Sequence, residues 1–141
     1  MSFLSEEMLQ QKTSQELTML LYEACEQNIQ QALDSITTKQ YMEANQKFQR
    51  SIDILERLGV GLNDAAGIIA DQLDALYTYM RGLLIEANIE KSIDKAQRVL
   101  HILQELQTAW QQAMQTQKNH QPAIQAKKRA AYEQFARYEY K

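Results

Sequence analysis

The sequence predicts an all-α fold, an antiparallel up-down four-helix bundle, on three observations. The 141 residues include only four glycines and one proline, Pro122, so few positions break a helix. Alanine, leucine, glutamate, lysine and a glutamine content of roughly one residue in seven favour helical backbone. Apolar residues recur at three- and four-residue steps, and no run alternates apolar and polar side chains as a half-buried strand would. A chain of this length forms a single domain, 1–141, that buries a real core without disulfides or a structural metal.

The elements follow in order. Residues 1–12 carry Phe3, Leu4, Met8 and Leu9, an apolar N-terminal stub able to fold back on the bundle. The first helix starts at Thr13, where Glu16 stands three residues on and completes a capping box, and it runs to about Ile36. Its inner stripe is Leu17, Leu21, Ala24, Cys25 and Ala32, and Thr37, Thr38 and Lys39 make a short turn. The second helix, about 40–58, presents Tyr41, Ala44, Phe48, Ile52 and Leu55, and Gly59 and Gly61 stop it as C-terminal caps. The third, from about Asp64 to Ile89, has the stripe Leu73, Leu76, Tyr77, Met80, Leu83, Leu84 and Ala87. Ser92 caps the fourth, whose stripe is Ala96, Val99, Leu100, Leu103, Leu106, Trp110 and Ala113. Helices of these lengths joined by short loops make a bundle about 30 to 40 Å long, spanning residues 13–115. Residues 116–141 read as a glutamine-rich linker to Pro122 and a basic tail, in which Ile124, Ala131, Phe135 and Tyr138 suggest a fifth, weaker helix.

Charge and composition exclude several functions. Residues 1–117 hold 9 Lys and Arg against 16 Asp and Glu, net −7, while residues 118–141 hold 6 against 2, net +4. An acidic body argues against nucleic acid, which needs clustered basic residues to neutralise phosphate. Cys25 is the only cysteine, which fits a reducing compartment. No segment has the apolar length of a membrane span or a signal peptide, so the expected location is cytoplasmic.

An enzyme is not expected either. The Glu-x-x-His pairs of a di-iron bundle are missing, since Arg98 stands three residues before His101 and Gln117 three before His120. Asp71 and Asp74 share a helix face, a spacing typical of solvated carboxylates, and Cys25 lies on the inner stripe with no histidine near it in sequence. No phosphate-binding glycine loop and no metal spacing occurs, so no cofactor is implied.

Two helices carry more apolar surface than one stripe explains. On the first, Met19, Tyr22 and Leu33 lie on a flank roughly 100° from the inner stripe, with Ile29 and Ile36 between, so more than half the circumference is apolar. Neighbouring helices, a second subunit, the stub, the tail or a partner must cover it. On the third, Tyr79 and Gly82 lie well outside the stripe and Ile85 lies past Arg81 on the far flank. Met19, Tyr22, Leu33, Tyr79, Gly82 and Ile85 are therefore the candidate partner-binding residues. Glu86 and Asn88 read as caps or cross-helix hydrogen-bonding residues near the helix end. The alternative is a structural bundle whose extra flank is a homodimer interface.

The word order of the chain resembles a known family. Leu-Thr-Met-Leu-Leu-Tyr-Glu-Ala, residues 17–24, is similar to the opening motif of the flagellin-specific export chaperones, the FliS family. Leu-Tyr-Thr-Tyr-Met (76–80) and Leu-Ile-Glu-Ala-Asn-Ile (84–89) resemble its LYDYMYRRLIEANI segment, and Thr-Ala-Trp-Gln-Gln-Ala (108–113) its closing motif. The resemblance spans about residues 13–115, with Tyr22 and Tyr79 on matching positions. It implies a helical bundle that binds the disordered C-terminal segment of flagellin, prevents its polymerisation and passes it to a component of the flagellar export apparatus. The chain departs from the pattern at Ser14, where a proline is common, and at Arg81-Gly82, where Tyr-Arg is usual. The tyrosine motif common near the N-terminus of the family is absent from residues 1–12.

Overall fold

A computed structural model describes the backbone of residues 14–62 and 68–139, and the side chains of 14–62 and 69–116. Four helices and no strand occur among these residues: α1 (Ser14–Thr37), α2 (Tyr41–Val60), α3 (Ile68–Glu90) and α4 (Ile93–Glu139). The expected caps at Thr13 and start at Asp64, together with the N-terminal stub, fall outside the described residues. The chain divides into two compact units, Met1–Gln107 and Thr108–Lys141. The first holds the bundle. The second is the distal stretch of α4.

Two turns close one end of the bundle by the same device. Lys39 and Lys91 adopt left-handed φ of 60° and 54°, and the next amide reaches back five residues, Gln40 to Ser35 at 2.7 Å and Ser92 to Ala87 at 2.9 Å. This is the Schellman closure, made here by lysines where glycine would be easier. Ser92 then caps α4 as expected, its hydroxyl accepting from the Lys95 amide at 3.3 Å. At the other end, α2 runs through Gly59 to Val60, so Gly59 does not stop it. The Gly61 amide bonds the Arg57 carbonyl and Gly61 itself is right-handed, at φ −63°, ψ −16°.

The helices form a ring in chain order. Cys25 of α1 meets Ser51 of α2, where the thiol donates to the Ser51 carbonyl (3.7 Å) and the Ser51 hydroxyl lies 3.5 Å from the Cys25 carbonyl. Asn45 of α2 meets Asn88 of α3, Lys95 of α4 pairs with Glu86 and Glu90 of α3, and Gln107 of α4 donates to Glu26 of α1. These registers make each neighbour antiparallel and put α1 diagonally opposite α3. Across that diagonal the Tyr22 and Tyr77 hydroxyls meet at 2.6 Å in the middle of the core, with ring centroids 6.3 Å apart.

The core is built from Leu21, Tyr22, Cys25, Ile29, Ala32 and Ile36 of α1, Ala44, Phe48, Leu55 and Leu58 of α2, Tyr77, Met80, Leu83, Leu84 and Ala87 of α3, and Ala96, Val99 and Leu103 of α4. Each large apolar side chain so buried contributes about 1.5–3 kcal/mol. The predicted stripe of α3 is confirmed, with Leu73 and Leu76 half-buried at its start. On α2, Ile52 is half-buried and Tyr41 is exposed, because Tyr41 opens the helix beyond the last packed layer. On α4, Leu100, Leu106 and Trp110 are half-buried and Ala113 is exposed.

The distal stretch departs from expectation. No linker interrupts the helix between 115 and 122, and the predicted fifth helix is the continuation of α4 through Pro122 to Glu139. Glutamine is a good helix former, and its intrinsic preference outweighs the polar composition that suggested a linker.

Candidate functional site

The apolar surplus of α1 turns out to be internal. Tyr22, Ile29 and Ile36 are buried, Tyr22 completely, so the inner stripe is Leu21, Tyr22, Cys25, Ile29, Ala32 and Ile36. It is rotated toward the flank from the one predicted, and Leu17 and Ala24 are only half-buried. Three neighbours cause this, since α1 reaches α2 at Cys25, α3 at Tyr22 and α4 at Glu26. Tyr22 is therefore corrected from a surface residue to a core residue. Met19 and Leu33 are half-buried, seven residues either side of Glu26, on the edge where that carboxylate receives Gln107 and Gln104.

The surplus of α3 is real surface. Tyr79 is 49 % and Ile85 47 % exposed. Gly82, three residues from each, is exposed, and a Cβ there would meet nothing within 4 Å. One turn beyond Ile85, Ile89 is 78 % exposed. The result is a ridge of Tyr79, Ile85 and Ile89 notched at Gly82. Such side chains keep apolar area in water that a partner would remove.

Polar groups frame this ridge on both sides. Toward α4, Glu86 joins Glu90 in holding Lys95 at 3.0 Å, and these carboxylates raise the lysine pKa. Toward α2 runs a ladder along the seam: Gln49 donates to Asn45 Oδ1 (3.4 Å), Asn88 Nδ2 donates to the same oxygen (2.6 Å), and Lys91 donates to Asn88 Oδ1 (2.7 Å). Asn88 is thus the cross-helix residue expected, and Glu86 makes a cross-helix ion pair. Higher on the same seam Arg81 Nη2 donates to Thr78 Oγ1 (3.3 Å), while its Nε is buried with no hydrogen-bond partner. Met42, one turn before Asn45, is 82 % exposed.

The six predicted residues therefore do not share one patch. Tyr79, Gly82 and Ile85 lie together on α3, Met19 and Leu33 lie on the diagonal helix, and Tyr22 is inside. Sequence reasoning missed Ile89 and Met42. Ile89 had a readable signal, its four-residue step from Ile85, whereas Met42 joins the seam only through the pairing of α2 with α3. A shallow depression of about 630 Å³ between α1 and α2 is lined by Asn28, Arg50, Asp53, Ile54, Glu56, Arg57 and Val60. Its charges are of both signs.

The chemistry of the core is inert. Burial pushes the Cys25 thiol up to about 12, and burial likewise raises the hydroxyls of Tyr22 and Tyr77. None of these groups ionises near neutrality to serve as nucleophile or base. Among the described residues no three His, Cys, Asp or Glu side chains are grouped to hold a metal, and no helix is long and apolar enough to cross a membrane. What α3 presents is exposed apolar surface at Tyr79, Ile85 and Ile89 with open space at Gly82.

Comparison with known proteins converges on one family. The family FliS, described as flagellar protein FliS, matches residues 4–117. The chain is also similar to the flagellar secretion chaperone FliS of Bacillus subtilis (strain 168), 28 % identical over 106 residues, covering 75 % of this chain and 79 % of that protein.

Proposed function

We propose, because this chain belongs to the flagellar protein FliS family, that it is a flagellar secretion chaperone whose client is the disordered C-terminal segment of flagellin. In this reading the chain acts in the cytoplasm, keeps the segment from polymerising and supports its delivery to a component of the flagellar export apparatus. The observation that carries the surface assignment is the notched ridge on α3, exposed apolar side chains at Tyr79, Ile85 and Ile89 with open space at Gly82. A segment that becomes an amphipathic helix can seat its apolar face on the ridge and approach closely at the notch. Met19 and Leu33 lie on the helix diagonal to α3, so a client touching both sets wraps around the bundle. A long disordered chain can do that, and ordering it offsets part of the gain from burial. No catalytic step is needed, since binding withholds the client and docking elsewhere releases it.

Calorimetry of the full chain with a peptide of the flagellin C-terminal segment tests this. The wild-type chain is expected to bind, and Tyr79→Ala or Ile85→Asp to weaken binding by roughly tenfold or more with helical content unchanged. A correctly folded chain that ignores the peptide would falsify the assignment. Light scattering in the same samples separates it from a structural homodimer, which would keep its mass whether or not the peptide is present.

A further inference from the structure

We infer that Arg81 reads the charge of the client on this ridge, accepting a Glu or Asp side chain one helical turn beyond the apolar residues that cover Ile85 and Ile89. This rests on the function proposed above and adds a specificity determinant to the same surface. Arg81, Ile85 and Ile89 stand at four-residue steps, so they form one row on the surface of α3 that starts beside the seam with α2 at Arg81 and runs outward onto the exposed ridge. A partner helix lying along that row meets a cation followed by two exposed isoleucines. Its complement is an acidic residue followed by apolar residues at the same spacing.

The state of Arg81 in the free chain favours such an exchange. Its guanidinium makes no ion pair among the described residues; Nη2 donates to the neutral Thr78 hydroxyl and Nε is shielded from solvent without an acceptor. A buried N–H without a partner is destabilising, and a charged guanidinium binds a carboxylate best through two parallel bonds. Rotating the side chain outward to present Nε and one Nη to a carboxylate satisfies both donors at once. The bond to Thr78 is long and its acceptor is uncharged, so exchanging it for a carboxylate loses little. The other cations beside the ridge, Lys91 and Lys95, are less available. Lys91 is engaged by Asn88, and Lys95, beyond Glu86, by two carboxylates.

The test uses the full chain and the flagellin C-terminal peptide, in wild type and with each acidic residue of the peptide changed in turn to arginine. Arg81→Glu is expected to weaken binding roughly tenfold or more, and one peptide charge reversal should restore binding to that variant while weakening binding to wild type. Arg81→Met, which keeps the stem, should bind more weakly than wild type and with less dependence on salt. If Arg81→Glu binds as wild type does while Tyr79→Ala and Ile85→Asp bind weakly, the inference is overturned and the client surface stands. If Arg81→Glu weakens binding but no peptide reversal restores it, a carboxylate partner is excluded and the inference again fails. A wild-type chain that does not bind the peptide overturns the function and this inference with it. Circular dichroism checks that each variant is folded.

Discussion

Helices α1 and α3 both carry more apolar surface than one buried stripe consumes, yet the bundle treats them in opposite ways. On α1 the excess is absorbed, with Tyr22, Ile29 and Ile36 inside. On α3 it is left out, with Tyr79, Ile85 and Ile89 in water. The difference lies in where each excess residue sits relative to the neighbours. Tyr22 and Ile29 fall within the sector that α2, α3 and α4 jointly enclose, whereas Tyr79, Gly82 and Ile85 fall on the side of α3 that points away from the bundle. An apolar count on a helix measures demand for cover. It does not say whether the chain supplies that cover itself.

The sharpest way to break this comparison is to truncate one tyrosine on each helix. Tyr22→Ala removes a fully buried ring and should destabilise the fold by about 3–5 kcal/mol in urea unfolding, whereas Tyr79→Ala should change stability by less than about 0.5 kcal/mol. Equal losses in the two variants would mean that α3 is covered within the chain and the contrast is false.

Alkaline pH probes the enclosed side first, because Cys25 has the lowest ordinary value among the groups whose pKa is raised. Burial raises Cys25 from an ordinary value near 9 to about 12 and raises Tyr22 and Tyr77 above their ordinary 10. Above those ordinary values the unfolded chain has released protons that the folded chain still holds. Stability is therefore full below pH 9 and falls as pH rises, by about 1.4 kcal/mol per unit for each group engaged. Cys25→Ala should abolish the first part of that decline. A stability curve of the Cys25→Ala protein that still falls from the same pH would show that another group is responsible.

The smallest expected effect sharpens the exposed side. Gly82→Ala adds a methyl group into open space on a helix, so it should stabilise the fold by about 0.5–1 kcal/mol, seen as a higher Tm. The same methyl fills the notch, and binding of the flagellin peptide should weaken. A more stable protein with unchanged affinity would show that the client does not approach closely at Gly82.

Much of this was legible in the residues. The α3 stripe, a short turn after the first helix (at Thr38 and Lys39, with Thr37 still helical), the Ser92 cap and the polar role of Asn88 follow from spacing and side-chain chemistry, and the structure shows each of them. The exposed half of the candidate site was also readable, because Tyr79, Gly82 and Ile85 fall outside the stripe however the bundle packs. The left-handed lysines at the two turns were not foreseen, since nothing in the residue type marks Lys39 or Lys91 for that conformation. Continuity of α4 past residue 115 was missed because glutamine looks like a linker by polarity and behaves as a helix former by conformational preference.

The sequence by itself determined that the chain is helical, where most helices turn, and which residues each helix would rather keep from water, because those properties depend on neighbours within two turns. Tertiary structure alone decided that Tyr22 lies across the core from Tyr77, that Asn45 reaches Asn88, and that Arg81 Nε has no acceptor. Those facts depend on which helices adjoin in the ring and at what register, and contacts between residues forty or more positions apart are set by packing all four helices together.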